Sequence, residues 1–280
     1  MQSENSPQQG PDSIISFEKV DYSHRNGVPA LRDVNLQISS GELVAILGAN
    51  GAGKSTLVRH INGLLKPTHG KVTVYGQDTH SVTPATLSRK VGIVFQNPDN
   101  QLFAQTVAKE IEFGLTNFGF SRESIEERVK WALDTFSLSD YAERSPIELS
   151  GGEKKRLCIA LVLAWDPSLL ILDEPTVGQD YEQKERLARI IRELLVQKKN
   201  VILVTHDVEF IWPLQPRTVL MSNGTIIADA SAQVVLGNPE LAKNSSVIVP
   251  QLVDLSIRSG WIEPYPSMTE EAEKRIVKGD

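Results

Sequence analysis

Cysteine is almost absent: Cys158 stands alone in 280 residues, so no internal disulfide can form and a reducing compartment suits the chain. It lies in an apolar stretch and reads as a small buried side chain rather than a reactive thiol. Long hydrophobic runs are missing too. The longest, Leu157 to Trp165, is about half of the roughly 20 residues that span a bilayer, so work at a membrane would go through a partner. Met1 to Asp12 is polar and has no apolar signal core. Positive charge is not in excess. The formal net charge of −6 argues against a nucleic-acid partner, which usually meets a basic face. No internal repeat appears, so the chain holds one copy of its functional unit.

What is present is ordered along the chain. Residues 1–13, rich in Ser, Gln, Pro and Asn, read as a disordered tail. Short apolar alternations from Ile14 to Ile38, with the turn signal Asn26-Gly27 between them, predict strands of an antiparallel layer. The pattern then changes to continuous apolar runs: Leu43–Leu47, Val91–Phe95, Leu169–Leu172 and Val201–Val204. Such runs suit strands buried on both faces. Leu187, Ile190, Ile191, Leu194 and Leu195 recur at helical spacing between the last two, which predicts a parallel βαβ unit. Residues 98–165 read as a helical subdomain inserted into this α/β core, with Ile125, Val129, Ala132, Leu133 and Phe136 forming one apolar stripe. Residues 231–280 read as a small C-terminal extension.

Polar residues follow the runs at their carboxyl ends, where open α/β sheets bind ligands. After Leu47 comes a glycine-rich loop, Gly48-Ala49-Asn50-Gly51-Ala52-Gly53-Lys54-Ser55, followed by Thr56. Its glycines let backbone N–H groups curl around phosphate oxygens at a helix start. Lys54 is placed to reach β- and γ-phosphates, and the Ser55 hydroxyl to coordinate Mg²⁺. Gly48, Asn50, Gly51, Gly53, Lys54, Ser55 and Thr56 are the candidate ATP contacts. Asp173 ends a strand, as suits a carboxylate that holds Mg²⁺, and Glu174 beside it is placed to orient and deprotonate an attacking water. Gln96 reaches Mg²⁺ or that water, and His206 the γ-phosphate. Each alone would be an ordinary polar residue at a strand exit; their company gives them meaning.

Leu149-Ser150-Gly151-Gly152-Glu153 occurs once, downstream of that loop. Ser followed three residues later by Glu is a capping box, common at helix starts. A capped helix start with bare glycines is also a second anion site. Two such sites in one chain make sense if they meet across a dimer. Here the chain resembles the ABC ATPase family from about residue 14 to 230. The resemblance implies a P-loop NTPase core and a head-to-tail dimer with two sandwiched ATPs. It gives Lys54 and Ser55 to the phosphate loop, Gln96 to the Q-loop and Ser150, Gly151 and Gly152 to the signature motif. Asp173 and Glu174 become the Walker B pair, Asp180 the D-loop aspartate and His206 the switch histidine. Two positions depart from the family pattern. His24 stands where an aromatic stacks on adenine, with Tyr22 two residues before it, and Gln179 stands where most relatives carry leucine before the D-loop aspartate.

Phe95-Gln96-Asn97-Pro98-Asp99-Asn100-Gln101-Leu102-Phe103 looks like the Q-loop of energy-coupling-factor transporter ATPases, including the cobalt-type group. Thr106-Val107, Glu110 to Gly114, Gly151 to Arg156 and the tail from Pro250 to about Glu271 are similar to the same group. That resemblance implies a peripheral ATPase on the cytoplasmic face of the cell membrane, powering uptake of a vitamin or of cobalt or nickel ions. Its partners would be a second ABC ATPase subunit, identical or related, a transmembrane coupling protein and a substrate-binding membrane subunit. Five of the eight phenylalanines, Phe95, Phe103, Phe113, Phe118 and Phe120, are gathered in one short segment. Leu102 and Phe103 are expected to emerge from it as a patch for a partner helix, the other aromatics serving as local core. The ATPase of an importer fed by a soluble binding protein, and a soluble non-transport cassette, are the competing readings.

Overall fold

The computed structural model describes residues 13–259; residues 1–12 of the expected tail, and the part of the C-terminal resemblance beyond Ser259, lie outside the described residues. Ser13, read as the end of the tail, is instead the first residue of a strand. That strand, β1 (Ser13–Ser23), pairs antiparallel with β2 (Pro29–Ser39) across the turn at Asn26-Gly27, where Gly27 takes φ 81°. The other edge of β1 takes β4 (His69–Val74), and short β5 (Gln77–Asp78) completes an antiparallel layer in the order β2-β1-β4-β5.

The second sheet supplies the frame of the site. Its parallel strands are β3 (Leu43–Leu47), β6 (Val91–Val94), β7 (Leu169–Asp173), β8 (Asn200–Val204) and β9 (Arg217–Ser222). An antiparallel edge strand, β10 (Thr225–Ser231), gives the order β10-β9-β3-β8-β7-β6. Successive side chains of a strand point to opposite faces. Leu43, Ala45 and Leu47 of β3 enter one core, Val44 and Ile46 the other; Leu170 and Leu172 separate from Leu169 and Ile171 in the same way, and Val201 and Leu203 from Ile202 and Val204. Both faces are apolar, so these strands appear in sequence as unbroken hydrophobic runs.

One core lies between the two sheets and contains α1 (Lys54–Ile61), through Leu57, Val58 and Ile61. Short α2 (Pro84–Ser88) adds Leu87 to it. On the opposite face lie α3 (Val107–Asn117), α4 (Arg122–Thr135), α5 (Gly151–Ala164) and α6 (Tyr181–Val196). α6 buries Leu187, Ala188, Ile191 and Leu194, with Ile190 and Leu195 half-buried beside them. α4 buries Ala132 and Leu133, Phe136 follows at its end, and Ile125 and Val129 pack at the margin. From Leu157 onward α5 is apolar all round because it is enclosed by α3, α4 and β6. It presses so closely on β6 that a Cβ on Gly92 would lie 2.4 Å from Cγ1 of Val162. Cys158 on this helix is fully buried, and burial pushes its thiol up to about 12, so it is an inert packing residue. After β8 come α7 (Val208–Ile211), α8 (Ala232–Leu236), α9 (Pro239–Ser245) and α10 (Gln251–Ser259). Val235, Leu236 and Val253 from this last stretch join the helical-side core.

Candidate active site

β3 lies between β8 and β9, both late in the chain, so the sheet order reverses beside it and a crevice opens at its carboxyl end. The glycine-rich loop fills that crevice. Gly48 takes φ 145°, and a Cβ there would lie 2.3 Å from the Met221 carbonyl oxygen. Gly53 takes φ 104°, and its Cβ would lie 2.7 Å from the Ala30 carbonyl oxygen. The loop is also bonded to the hairpin between β9 and β10, where Gly224 N–H donates to Ala52 O at 3.1 Å; Gly224 O in turn accepts from Arg32 N–H of β2 at 2.8 Å. Gly224 is itself closed in, its absent Cβ lying 2.8 Å from Ala30 O. Backbone packed against backbone sets the loop's shape.

The loop delivers α1 with an uncapped start. Helices α2 to α9 each have an N-cap side chain that accepts from their first-turn N–H groups, whereas Gly53 offers α1 none. Those free N–H groups, at the positive end of the helix dipole, suit an anion. Lys54 is buried; its ammonium donates to Gly48 O at 2.7 Å and Ala49 O at 3.0 Å. Burial lowers its pKa, opposed by the charges of Glu174 and Asp173.

The acidic pair closes the other side. Ser55 Oγ donates to Asp173 Oδ2 at 3.2 Å, joining α1 to the end of β7. Burial raises the Asp173 pKa, and the Ser55 bond opposes that rise. Glu174 is held at φ 49°, with its N–H bonded to Val204 O at 2.7 Å. Its carboxylate accepts from Thr205 Oγ1 at 3.2 Å and meets Nδ1 of His206 at 2.9 Å. Asp207 caps α7 and takes an ion pair from Lys184 of α6 at 2.6 Å, which anchors the segment beside His206. Burial acts to raise the Asp207 pKa, but the Lys184 bond and the Phe210 N–H outweigh it and leave it lowered.

A cavity of about 410 Å³ is lined by residues 50–56, Gln96, Asp173, Glu174 and, from the antiparallel layer, His24 and the Val28-Pro29-Ala30 segment; Gly48 and His206 do not line it, His206 reaching it only through its contact with Glu174. Tyr22 does not line it. Its ring is edge-on to His60, centroids 4.9 Å apart, and to His24 at 5.3 Å, so of the two candidates for base stacking only His24 faces the cavity. Ser150, Gly151, Gly152 and Asp180 do not line it either. Ser150 forms the capping box of α5: Glu153 N–H donates to its Oγ at 3.3 Å, and its own N–H donates to Glu153 Oε2 at 2.7 Å. Asp180 caps α6, accepting from Gln183 N–H at 2.8 Å. Gln179 donates from Nε2 to Gly152 O at 3.2 Å, a contact leucine could not make. Thr205, Asp207 and Lys184 are site residues that sequence reading passed over, since none has a motif of its own.

A second concavity, about 720 Å³, lies between α2, α3 and α5. Phe103 and Phe113 stand at its rim, 67% and 50% exposed and edge-to-face with centroids 4.8 Å apart. Phe118 packs on Trp165. Leu102 does not emerge as expected: it turns half-buried against the helical-side core, leaving Phe103 alone to project from the loop. The loop is fixed from below by buried Glu110, whose Oε2 accepts from Phe103 N–H at 2.9 Å and Ala104 N–H at 2.7 Å.

Comparison with known proteins agrees with this geometry. The ABC transporter family model matches residues 31–177. The chain is 41% identical over 244 residues to the energy-coupling factor transporter ATP-binding protein EcfA of Methanothermobacter thermautotrophicus, covering 86% of this chain and 78% of that one. It is 37% identical over 270 residues to EcfA1 of Methanospirillum hungatei, with 95% and 97% covered. Among solved structures, cbiO1 from Clostridium perfringens, part of the ABC transporter complex cbiONQ, aligns with a TM-score of 0.72 at 33% identity over 87% of this chain and 98% of its own. The ATP-binding cassette MJ0796, solved as a dimer in a post-hydrolysis state with ADP and Pi, aligns with a TM-score of 0.70 at 28% identity over 78% and 99%. The chain belongs to the ABC transporter family and is an ATPase of its energy-coupling-factor type.

Proposed function

We propose that this protein is the ATPase subunit of an importer for a vitamin or for cobalt or nickel ions, bound peripherally at the cytoplasmic face of the cell membrane. In this reading residues 14–230 are the nucleotide-binding domain, 98–165 its helical subdomain and 231–280 an extension. The observation that carries it is one short loop with two ends. Gln96 lines the nucleotide cavity while Gln101 and Phe103 line the aromatic groove, so the site of hydrolysis and a surface fit for a partner helix share one segment. No described helix is long and apolar enough to cross a membrane, so the transmembrane coupling protein and the substrate-binding subunit would be separate chains.

Within the site, the free N–H groups of α1 and Lys54 bind the phosphates of ATP. Glu174 orients the attacking water and takes its proton, and His206, steadied by Glu174, donates to the γ-phosphate. The adjacent Ser55 hydroxyl and Asp173 carboxylate are hard oxygen donors that fit Mg²⁺, with Gln96 within the same cavity. These two protein oxygens leave the rest of the coordination shell to phosphate and water, as Mg²⁺ commonly has it. Mg²⁺ would neutralise charge on the phosphates. Ser150, Gly151, Gly152 and Asp180, which do not line this chain's own cavity, are left to close on the ATP of a second ABC subunit, identical or related.

Affinity purification of the tagged protein from gently solubilised membranes, with mass spectrometry of what accompanies it, tests the assignment. A polytopic coupling protein and a substrate-binding membrane subunit are expected, and the latter names the cargo. Recovery of a conventional permease with a soluble binding protein, or of ribosomes, would overturn it.

A further inference from the structure

Lys155 is a buried cation that the mechanism above leaves unused. It is 2% exposed, and its ammonium donates to three backbone carbonyls: Phe95 O at 3.0 Å, Gln96 O at 3.2 Å and Asp173 O at 2.9 Å. An ammonium has three N–H donors and no acceptor, so its valence is fully used. A buried charge is tolerated only when satisfied in this way. The acceptors are not scattered. Two belong to the segment leaving β6, and the third to the last residue of the neighbouring strand β7. The donor comes from the opening turns of α5, whose N-cap is Ser150. Lys154, its neighbour, pairs with Asp99 at 2.8 Å, so consecutive lysines grip the Gln96 segment through both backbone and side chain.

We propose that Lys155 is a positioning residue for hydrolysis: it joins the helix that begins at Ser150-Gly151-Gly152 to both the Gln96 loop and the Asp173-Glu174 strand end. Through this single side chain, the surface that would face a second subunit is held at a set distance from the groups that act on the phosphate. The inference rests on the roles given above to Gln96, Asp173 and Glu174. A lysine that merely satisfies buried carbonyls would affect stability, and nucleotide binding with it. One that positions would affect turnover selectively, and would do so through Gln96.

The test uses the full chain with Lys155→Met, which removes every donor at similar bulk, and Lys155→Gln, which keeps amide donors on a shorter stem. ATP affinity, kcat and KM are measured, and a cycle is completed with Gln96→Ala. For Lys155→Met, kcat and kcat/KM should fall together by about tenfold or more while KM holds. Lys155→Gln should recover part of the loss, and Gln96→Ala should cost less in the Lys155→Met background than alone. Strictly additive losses, or weakened ATP binding with kcat unchanged, overturn the proposal. If Lys155→Met does not fold, the same cycle and criterion apply to Lys155→Gln. Glu174→Gln separates the two ideas. Turnover lost there but kept at Lys155 defeats this inference alone, and turnover kept at Glu174 defeats the reading of the site.

Discussion

Glu174 occupies the left-handed region of backbone space, where a residue with a side chain is held at a cost of about 1–3 kcal/mol unless its surroundings enforce it. Here they do: the Val204 carbonyl takes its N–H, while Thr205 and His206 hold its carboxylate. A residue fixed this firmly and aimed into the phosphate cavity suits a general base. Glu174→Gln keeps the shape and removes the basicity, so turnover should fall by roughly 10²–10⁴-fold with ATP still bound, as phosphate release and nucleotide binding would show. The glycine-rich loop, Gln96, Asp173 and Glu174 stand out in the sequence because each follows an apolar run that ends in a recognisable strand exit. Their mutual contacts do not. Glu174 meets His206 only because β7 and β8 pair in a register that sets Asp173 beside Val204. Lys155 was hidden for a similar reason: in a run of charged residues nothing marks which lysine turns inward. The place of Tyr22 in the chain points to adenine, but its ring packs edge-on against His60.

At the level of elements, legibility followed burial. β3, β7 and β8 were plain because both of their faces are apolar, and α4 and α6 because one face is. β4, β5 and α2 gave no usable pattern: β4 is exposed over its first half, β5 has two residues and α2 has five. The packing of α5 on β6 was also invisible, though it governs how the helical layer sits. Gly92→Ala would drive a Cβ into Val162 and Pro167. Neither neighbour is a flexible chain end, so a loss of about 1–3 kcal/mol in stability is expected, read as a lower midpoint in thermal denaturation. The same substitution should disturb hydrolysis more than ATP binding, because the displaced helix carries Lys155 and not the phosphate loop.

For the molecule as a whole, the aromatic groove and the nucleotide cavity flank one segment. Exposed aromatics of this kind carry a large share of binding energy where they are buried by a partner, about 2 kcal/mol or more for a central one. Changing Phe103 and Phe113 together to Ser should therefore strip the protein from membranes that contain its partners, leaving ATP affinity in the isolated chain intact. Fractionation beside a nucleotide-binding assay checks this. Undiminished membrane retention would move the docking surface elsewhere. Leu102 is excluded from the test because its side chain belongs to the core, and its loss would confuse docking with folding.

The phosphate loop, through Gly48 and Gly53, and the neighbouring hairpin, through Gly224, are pressed against the carbonyls of Met221 and Ala30, so that the tightest contacts are main chain on main chain. Such a junction offers almost nothing to adjust by substitution: a change there either fits or breaks the loop. The rim of the groove is the reverse: Phe103 and Phe113 are exposed side chains that can be exchanged without touching the backbone, unlike Glu110 and Gln101 beneath them, which bond it. The molecule therefore separates a part that must be inherited whole from a part free to drift. Under the docking role proposed above, altering a few rim residues would refit the motor to a new membrane partner, its chemistry left as it was.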